Sequence, residues 1–360
     1  MKLSRLLFAV TAGAILSSTF GAFAFEVGVR SLQIPSPSRA GDINLRIWYP
    51  ALEGGAPLAV GENRIFKGAQ AFESAPLTSG AYPLVLFSHG SGGNVEAMSW
   101  LANGLVKAGF IVAGPNHPGT TSGDSLPEET PKVWQRVGDL SAVIDFLSQD
   151  VVWKKHIDAD RIGAVGFSLG GTTVMKMAGA QTILEDYARY CDSYKQWDCA
   201  WYANGIGFRN NEPVNVGAFD LRSVNRHFFE QLNRDPRVRA VVMIDPGMAL
   251  AYAAESLEKI DISMSYINLG SEGTVPLATE ASHLASAAPN ASYVTVQESD
   301  HFSFLPECKA DAEAFLESIH EPDPICAPTN RARGDIHAEI SNVISAVLQA
   351  SLKNAKDLRH

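Results

Sequence analysis

The run Arg161-Ile162-Gly163-Ala164-Val165-Gly166-Phe167-Ser168-Leu169-Gly170-Gly171 constrains the fold more than any other stretch of this chain. A short apolar segment of strand length, Ile162 to Val165, is followed at once by helical spacing from Ser168 to about Gly179. Only a sharp turn fits between the two. A serine on such a turn takes strained backbone angles and brings neighbouring backbone close, so Gly166 and Gly170 answer a steric need. The helix behind it offers free N–H groups and the positive end of its dipole to a developing oxyanion. Gly-x-Ser-x-Gly alone is a weak motif in a chain with 30 glycines. The strand before it and the helix after it make Ser168 the candidate nucleophile.

The same rhythm runs along the chain. Glu26 to Leu32 and Asn44 to Trp48 read as an antiparallel opening pair separated by turns. Pro83 to Ser88, Phe110 to Ala113 and Ile162 to Val165 are apolar strands without alternation, and Val95 to Ala108 and Trp134 to Leu147 are the helices between them. The alternation resumes with Val238 to Ile244, Met264 to Leu269 and Ser292 to Val296, and ends in a helix from about Asp335 to Leu352. Strands of this kind belong to a mostly parallel central sheet flanked by helices, an α/β fold. The rhythm breaks from about Gln181 to Pro236, where no clear buried strand occurs and aromatics accumulate, among them Tyr187, Tyr190, Trp197, Trp201 and Phe229. This stretch reads as a cap inserted between two sheet strands, its aromatics either shaping a hydrophobic pocket or forming the cap's own small core.

The expected domain layout is a signal segment, 1–24, followed by one domain, 25–360, with the cap at about 181–236. Lys2 and Arg5 precede an apolar stretch, Leu6 to Leu16, and Ala22-Phe23-Ala24 supplies a small-x-small pattern. These are the parts of a secretory signal cleaved after Ala24, and the apolar run is short of the roughly 20 residues that span a bilayer. A periplasmic or secreted location is the expectation. Four cysteines in an exported chain suggest two disulfides, for which three pairings exist; the local one, Cys191 with Cys199 and Cys308 with Cys326, is favoured. The formal charge of −10 argues against nucleic acid or an anionic membrane as the main partner.

His89-Gly90-Ser91-Gly92-Gly93 directly follows the strand ending at Ser88. A glycine-rich loop there can bring a backbone N–H to the substrate, so the N–H groups of Ser91 and Leu169 are the candidate oxyanion hole. No Gly-Lys-Ser/Thr follows, which removes the nucleotide reading. The base is expected late, after the last strand, where Ser299-Asp300-His301-Phe302 stands, and His301 is the candidate. His117, in Asn116-His117-Pro118-Gly119, is expected to line the pocket, as a substrate-binding residue, or to brace its loop, and His89 to pack beneath its loop as a structural group rather than act as base. His156, His227, His283, His320, His337 and His360 are expected to be solvated. For the acid, Asp245 and Glu272 each follow a strand, and position alone divides them evenly.

The chain resembles the isoform-II type platelet-activating-factor acetylhydrolases and their bacterial relatives in the dienelactone hydrolase group. The likeness lies in Phe87-Ser88-His89-Gly90, in Gly166-Phe167-Ser168-Leu169-Gly170-Gly171, in Ile244-Asp245 and in His301. It implies an α/β-hydrolase fold, a Ser-His-Asp triad and an acid in the turn after the strand that follows the nucleophile helix, which maps onto Asp245 and leaves Glu272 as the fallback. The 181–236 segment is longer than in the animal acetylhydrolases, so no substrate carries over with the likeness.

The expected function is hydrolysis of carboxylic esters with short acyl chains through an acyl-enzyme. The substrate would be a small or lipid-like ester, with no nucleic acid and no stable membrane anchor. An amidase, peptidase or thioesterase on the same triad is the alternative, since fold does not fix the bond cleaved. A non-catalytic binding protein is a third reading. No metal or organic cofactor is implied by the histidine and cysteine spacings or by any dinucleotide fingerprint.

Overall fold

Strands without a polar face can be buried only if both faces of their sheet are covered, and the central sheet is built that way. The computed structural model describes residues 25–271 and 273–353; the expected signal segment and Glu272 lie outside them. β1 (Glu26–Pro35) and β2 (Asp42–Ala51) pair antiparallel along their full length. β3 (Ala56–Val60) and β4 (Ala69–Glu73) form a further antiparallel pair beside β1. The sequence does not announce this last pair, because its strands lie at the sheet edge and much of each stays in contact with solvent.

The alternating part follows. β5 (Tyr82–Ser88) leads through a 3-10 turn, Val95–Met98, into α1 (Ser99–Lys107) and β6 (Ile111–Pro115). A two-residue ribbon, β7 (Thr120–Thr121) and β8 (Asp124–Ser125), precedes α2 (Val133–Gln149), β9 (Ile157–Phe167) and α3 (Leu169–Ala178). Residues 181–236 then hold α4 (Leu184–Ser193), α5 (Asp198–Asn204), the hairpin β10 (Ile206–Arg209) with β11 (Glu212–Asn215), and α6 (Arg226–Glu230). The sheet resumes with β12 (Val238–Ile244), α7 (Ala254–Leu257), β13 (Ser263–Leu269), α8 (Ser282–Ala287) and β14 (Ala291–Val296). The described chain closes with α9 (Ala312–Ser318) and α10 (Arg333–Ser351).

The ten strands of the central sheet run in the order β14-β13-β12-β9-β5-β6-β2-β1-β4-β3, and every pair from β14 to β6 is parallel. Alternate residues of β5 show why its sequence is apolar throughout. Leu84 and Leu86 pack with Leu140 and Val143 of α2 and Val174 of α3, while Val85 and Phe87 pack with Leu101 of α1 and Ile340 and Ile344 of α10. Each such leucine or isoleucine, fully buried, is worth roughly 1.5–3 kcal/mol. Because the central strands are parallel, the ends at Ser88, Phe167, Ile244, Leu269 and Val296 all open on one edge, where a doubly wound sheet places its chemistry.

The aromatics of 181–236 divide. Tyr187, Tyr190, Tyr202 and Phe229 form a small core with Leu169 and Met248, whereas Tyr194, Trp197, Phe208 and Phe228 remain exposed. Both disulfides have the expected local pairing, Cys191–Cys199 and Cys308–Cys326. No described helix is long and apolar enough to cross a membrane.

Candidate active site

Ser168 sits between β9 and α3 with φ 53° and ψ −120°, a conformation that costs a non-glycine residue of order 1–3 kcal/mol. Its neighbours hold it there. A β-carbon on Gly166 would collide with the Gly170 carbonyl, and one on Gly170 with the Ser88 carbonyl oxygen. The Ser168 N–H donates to the Ile244 carbonyl (2.9 Å) and its carbonyl accepts from the Gly247 N–H (3.0 Å), so the turn is stitched to the end of β12. Thr172 Oγ1 adds a bond to the Gly247 carbonyl at 2.8 Å.

Asp245 stands at that strand end. It is fully buried, with φ 43°. One carboxylate oxygen accepts from Asn268 Nδ2 (2.7 Å) and from the Leu269 N–H (2.9 Å). The other lies 2.9 Å from His301 Nδ1. Asn268 is itself fixed, donating to the Thr279 carbonyl and accepting from the Ala281 N–H. The structure thus brings Asp245 and His301 into contact, and Glu272 lies outside the described residues. Among the described residues no hydrogen bond joins Ser168 to His301; the ring of Phe167 stacks on the imidazole with centroids 4.7 Å apart. Bonds of that kind are commonly long before substrate binds.

His301 lies in a short helical turn, His301–Phe304, which Asp300 caps by accepting from the Ser303 N–H and hydroxyl. The acid next to the histidine therefore shapes its turn and leaves the imidazole to Asp245. The 181–236 segment reaches the same place: Trp197 meets His301 edge-on at 5.7 Å and stacks on Phe302 at 5.7 Å.

On the facing loop, a β-carbon on Gly90 would come within 3.3 Å of Ser168 Cβ, so the glycine permits the loop to lie against the turn. The N–H groups of Ser91 and Leu169 are taken by no other described group. His117 corrects its expected role in substrate binding. It is wholly enclosed, with one ring nitrogen on Ser88 Oγ (3.0 Å) and the other on Asp139 (2.9 Å), so it has no face left for a ligand.

His337 is a second correction, since it is buried on α10 with the apolar residues Ile336 and Ile340. Its ring stacks on Trp100 at 3.8 Å, and Nε2 donates to the carbonyls of Ser303 and Leu305, which grips the turn that carries His301. Burial, reinforced by Arg333, holds its pKa down to about 4 against an ordinary 6.5. The unfolded chain then takes up a proton that the folded chain refuses. The contribution is complete above pH 6.5 and falls by roughly 3 kcal/mol as the pH drops through 4. His337→Gln should melt with a shallower dependence on pH between 7.5 and 4 than the wild type, as followed by circular dichroism. Equal slopes would remove His337 from the account.

Residues 85–317 match the sequence profile of the alpha/beta hydrolase family, a span that holds Ser168, Asp245 and His301. Among solved structures, a ferulic acid esterase from Streptomyces cinnamoneus is similar, with a TM-score of 0.61 at 17% identity over 94% of each chain. At that identity the likeness is one of fold, and it agrees with the parallel sheet and flanking helices described above. No curated protein matches the sequence.

Proposed function

Because the chain belongs to the alpha/beta hydrolase family, we propose that it is an exported serine hydrolase that cleaves carboxylic esters, with Ser168 as nucleophile. The observation that carries this reading is the 2.9 Å contact between His301 Nδ1 and an Asp245 carboxylate whose other oxygen is already satisfied, beside a serine held at a strained turn. His301 takes the Ser168 proton as the oxygen attacks the ester carbonyl, and Asp245 keeps the imidazole in the required tautomer. The N–H groups of Ser91 and Leu169 hold the tetrahedral oxyanion. His301 then gives its proton to the leaving alcohol, and water, activated the same way, releases the acid.

Within the family we place the chain with the acetylhydrolase and dienelactone hydrolase group, on the motifs around Ser88, Ser168, Asp245 and His301. Two disulfides support a location outside the cytoplasm, where the signal segment 1–24 would deliver it. Residues 181–236 act as the cap. The name of the structural neighbour, an esterase, favours the ester bond over the amide. Hydrolysis of p-nitrophenyl esters from acetyl to palmitoyl, compared between the wild type and Ser168→Ala, tests the reading. Serine-dependent turnover highest on short chains supports it, and activity on matched amides alone overturns it.

Trp197 gives the cap its part in selectivity. The indole meets His301 edge-on and stacks on Phe302, on a residue that is 40% exposed, so it limits the room beside the imidazole. Trp197→Ala is expected to raise kcat/KM for octanoyl relative to acetyl esters by roughly 10-fold, the scale of a small change in apolar pocket volume. An unchanged acyl profile would place the acyl chain elsewhere.

A further inference from the structure

Beneath the glycine-rich loop lies a second Ser-His-Asp chain, Ser88–His117–Asp139, in which all three residues are at most 1% exposed. It cannot act on a substrate, because Ser88 ends a buried strand. Its hydrogen bonds have one consistent direction. Arg136, from α2, donates to Ser88 Oγ (3.2 Å) and to the His89 carbonyl, and also to Thr173 of α3 (3.0 Å) and to Thr120 (2.7 Å). Ser88, already accepting, gives its own proton to His117 Nε2 (3.0 Å), and His117 Nδ1–H donates to Asp139 (2.9 Å). Ser36 (2.9 Å) and Arg39 (2.7 Å) complete the Asp139 carboxylate.

The chain then turns toward the loop. The backbone N–H of His117 donates to His89 Nε2 at 3.1 Å, which keeps that nitrogen free of a proton. Burial, followed in weight by Arg136, keeps both imidazoles neutral by lowering their pKa values well below the ordinary range. His89 must therefore carry its proton on Nδ1, and Nδ1 lies 2.8 Å from the Gly90 carbonyl. That carbonyl, which also accepts from the Gly93 N–H at 3.2 Å, shares its peptide unit with the N–H of Ser91. In a trans peptide the two point in opposite directions, so a carbonyl drawn inward by His89 turns the N–H outward, to the open side of the loop. Accepting a hydrogen bond at the oxygen also polarises the N–H and strengthens it as a donor.

We infer that His89, its tautomer fixed by His117 and the buried Ser88–His117–Asp139 chain, is a positioning residue that orients the Gly90–Ser91 peptide for oxyanion binding. This rests on the reading of the Ser91 N–H as an oxyanion donor. The relay itself is tested on the intact wild type by 15N NMR of labelled histidine. At pH 7 both His89 and His117 should show a protonated Nδ1 and a bare Nε2, and a proton on His89 Nε2 overturns the inference whether or not the protein is an esterase.

Catalysis supplies the second test. In His89→Asn the side-chain amide nitrogen can take the place of Nδ1 and donate to Gly90, whereas His89→Gln puts its donor one atom too far. On p-nitrophenyl acetate, His89→Gln should lower kcat by roughly 10²-fold, near the cost of losing one oxyanion donor, with KM changed less than about threefold. His89→Asn should stay within about fivefold of the wild type. Equal losses in both variants, a loss confined to KM, or no loss overturns the inference. If the wild type has no Ser168-dependent turnover, the functional reading fails, and the NMR result still decides the relay.

Discussion

Ser168→Ala should lower kcat on p-nitrophenyl esters by roughly 10⁴- to 10⁶-fold and abolish covalent labelling by a fluorophosphonate, with the fold unchanged. The hydroxyl is the only group the substitution removes. The Ser168 backbone N–H and carbonyl, which bond to Ile244 and Gly247, remain, as does the helix start behind them. The residual rate would come from the oxyanion donors and from binding alone. Alanine at φ 53° keeps the strain of the turn, so the melting temperature should stay close to that of the wild type. Ser168→Gly, which can adopt that angle freely, should melt slightly higher, by the equivalent of about 1 kcal/mol. Labelling that survives in Ser168→Ala would place the nucleophile elsewhere and end the proposed mechanism.

What could be read in advance divides by the range of the interactions involved. The strand, turn and helix around Ser168 span a few adjacent residues, so local sterics write them directly into glycine positions and apolar runs. The two disulfides were legible for the same reason, being between cysteines eight and 18 residues apart. The acid was open from position alone and named only through the family resemblance, because Asp245 and His301 are 56 residues apart and meet only when β12 and the turn after β14 share one sheet edge. Asn268, which fixes the Asp245 carboxylate, carries no local sign at all. The buried relay did leave a trace. Arg136 and Asp139 stand on the same face of α2 as Val133, Val137 and Leu140, and a charge inside an apolar stripe must find a buried partner. His337 leaves the same trace beside Ile336, Ile340 and Ile344 on α10. Polar residues in such stripes mark the tertiary bracing that holds the candidate site, although they do not say what they brace.

Asp245→Asn should reduce kcat by roughly 10⁴-fold near neutral pH while the protein stays folded, and the reason is the direction of its hydrogen bonds. One carboxylate oxygen faces two donors, Asn268 Nδ2 and the Leu269 N–H. Asn268 cannot turn its amide over, because its own nitrogen donates to Thr279 and its oxygen accepts from Ala281. An asparagine at 245 must therefore keep its oxygen toward Asn268 and Leu269 and present its NH₂ to His301 Nδ1. That nitrogen becomes an acceptor, and the proton of the neutral imidazole moves to Nε2, the atom that should receive the Ser168 proton. The geometry survives and the base is lost. The same tautomer shift gives the experiment a readout apart from rate, since 15N NMR of His301 should show Nδ1–H in the wild type and Nε2–H in the variant. Glu272→Gln, made in parallel, should leave kcat within about twofold if Asp245 is the acid of the proposed triad. The reverse pattern, turnover lost with Glu272→Gln and kept with Asp245→Asn, would transfer the acid's role to Glu272 and make the Asp245–His301 contact a structural one.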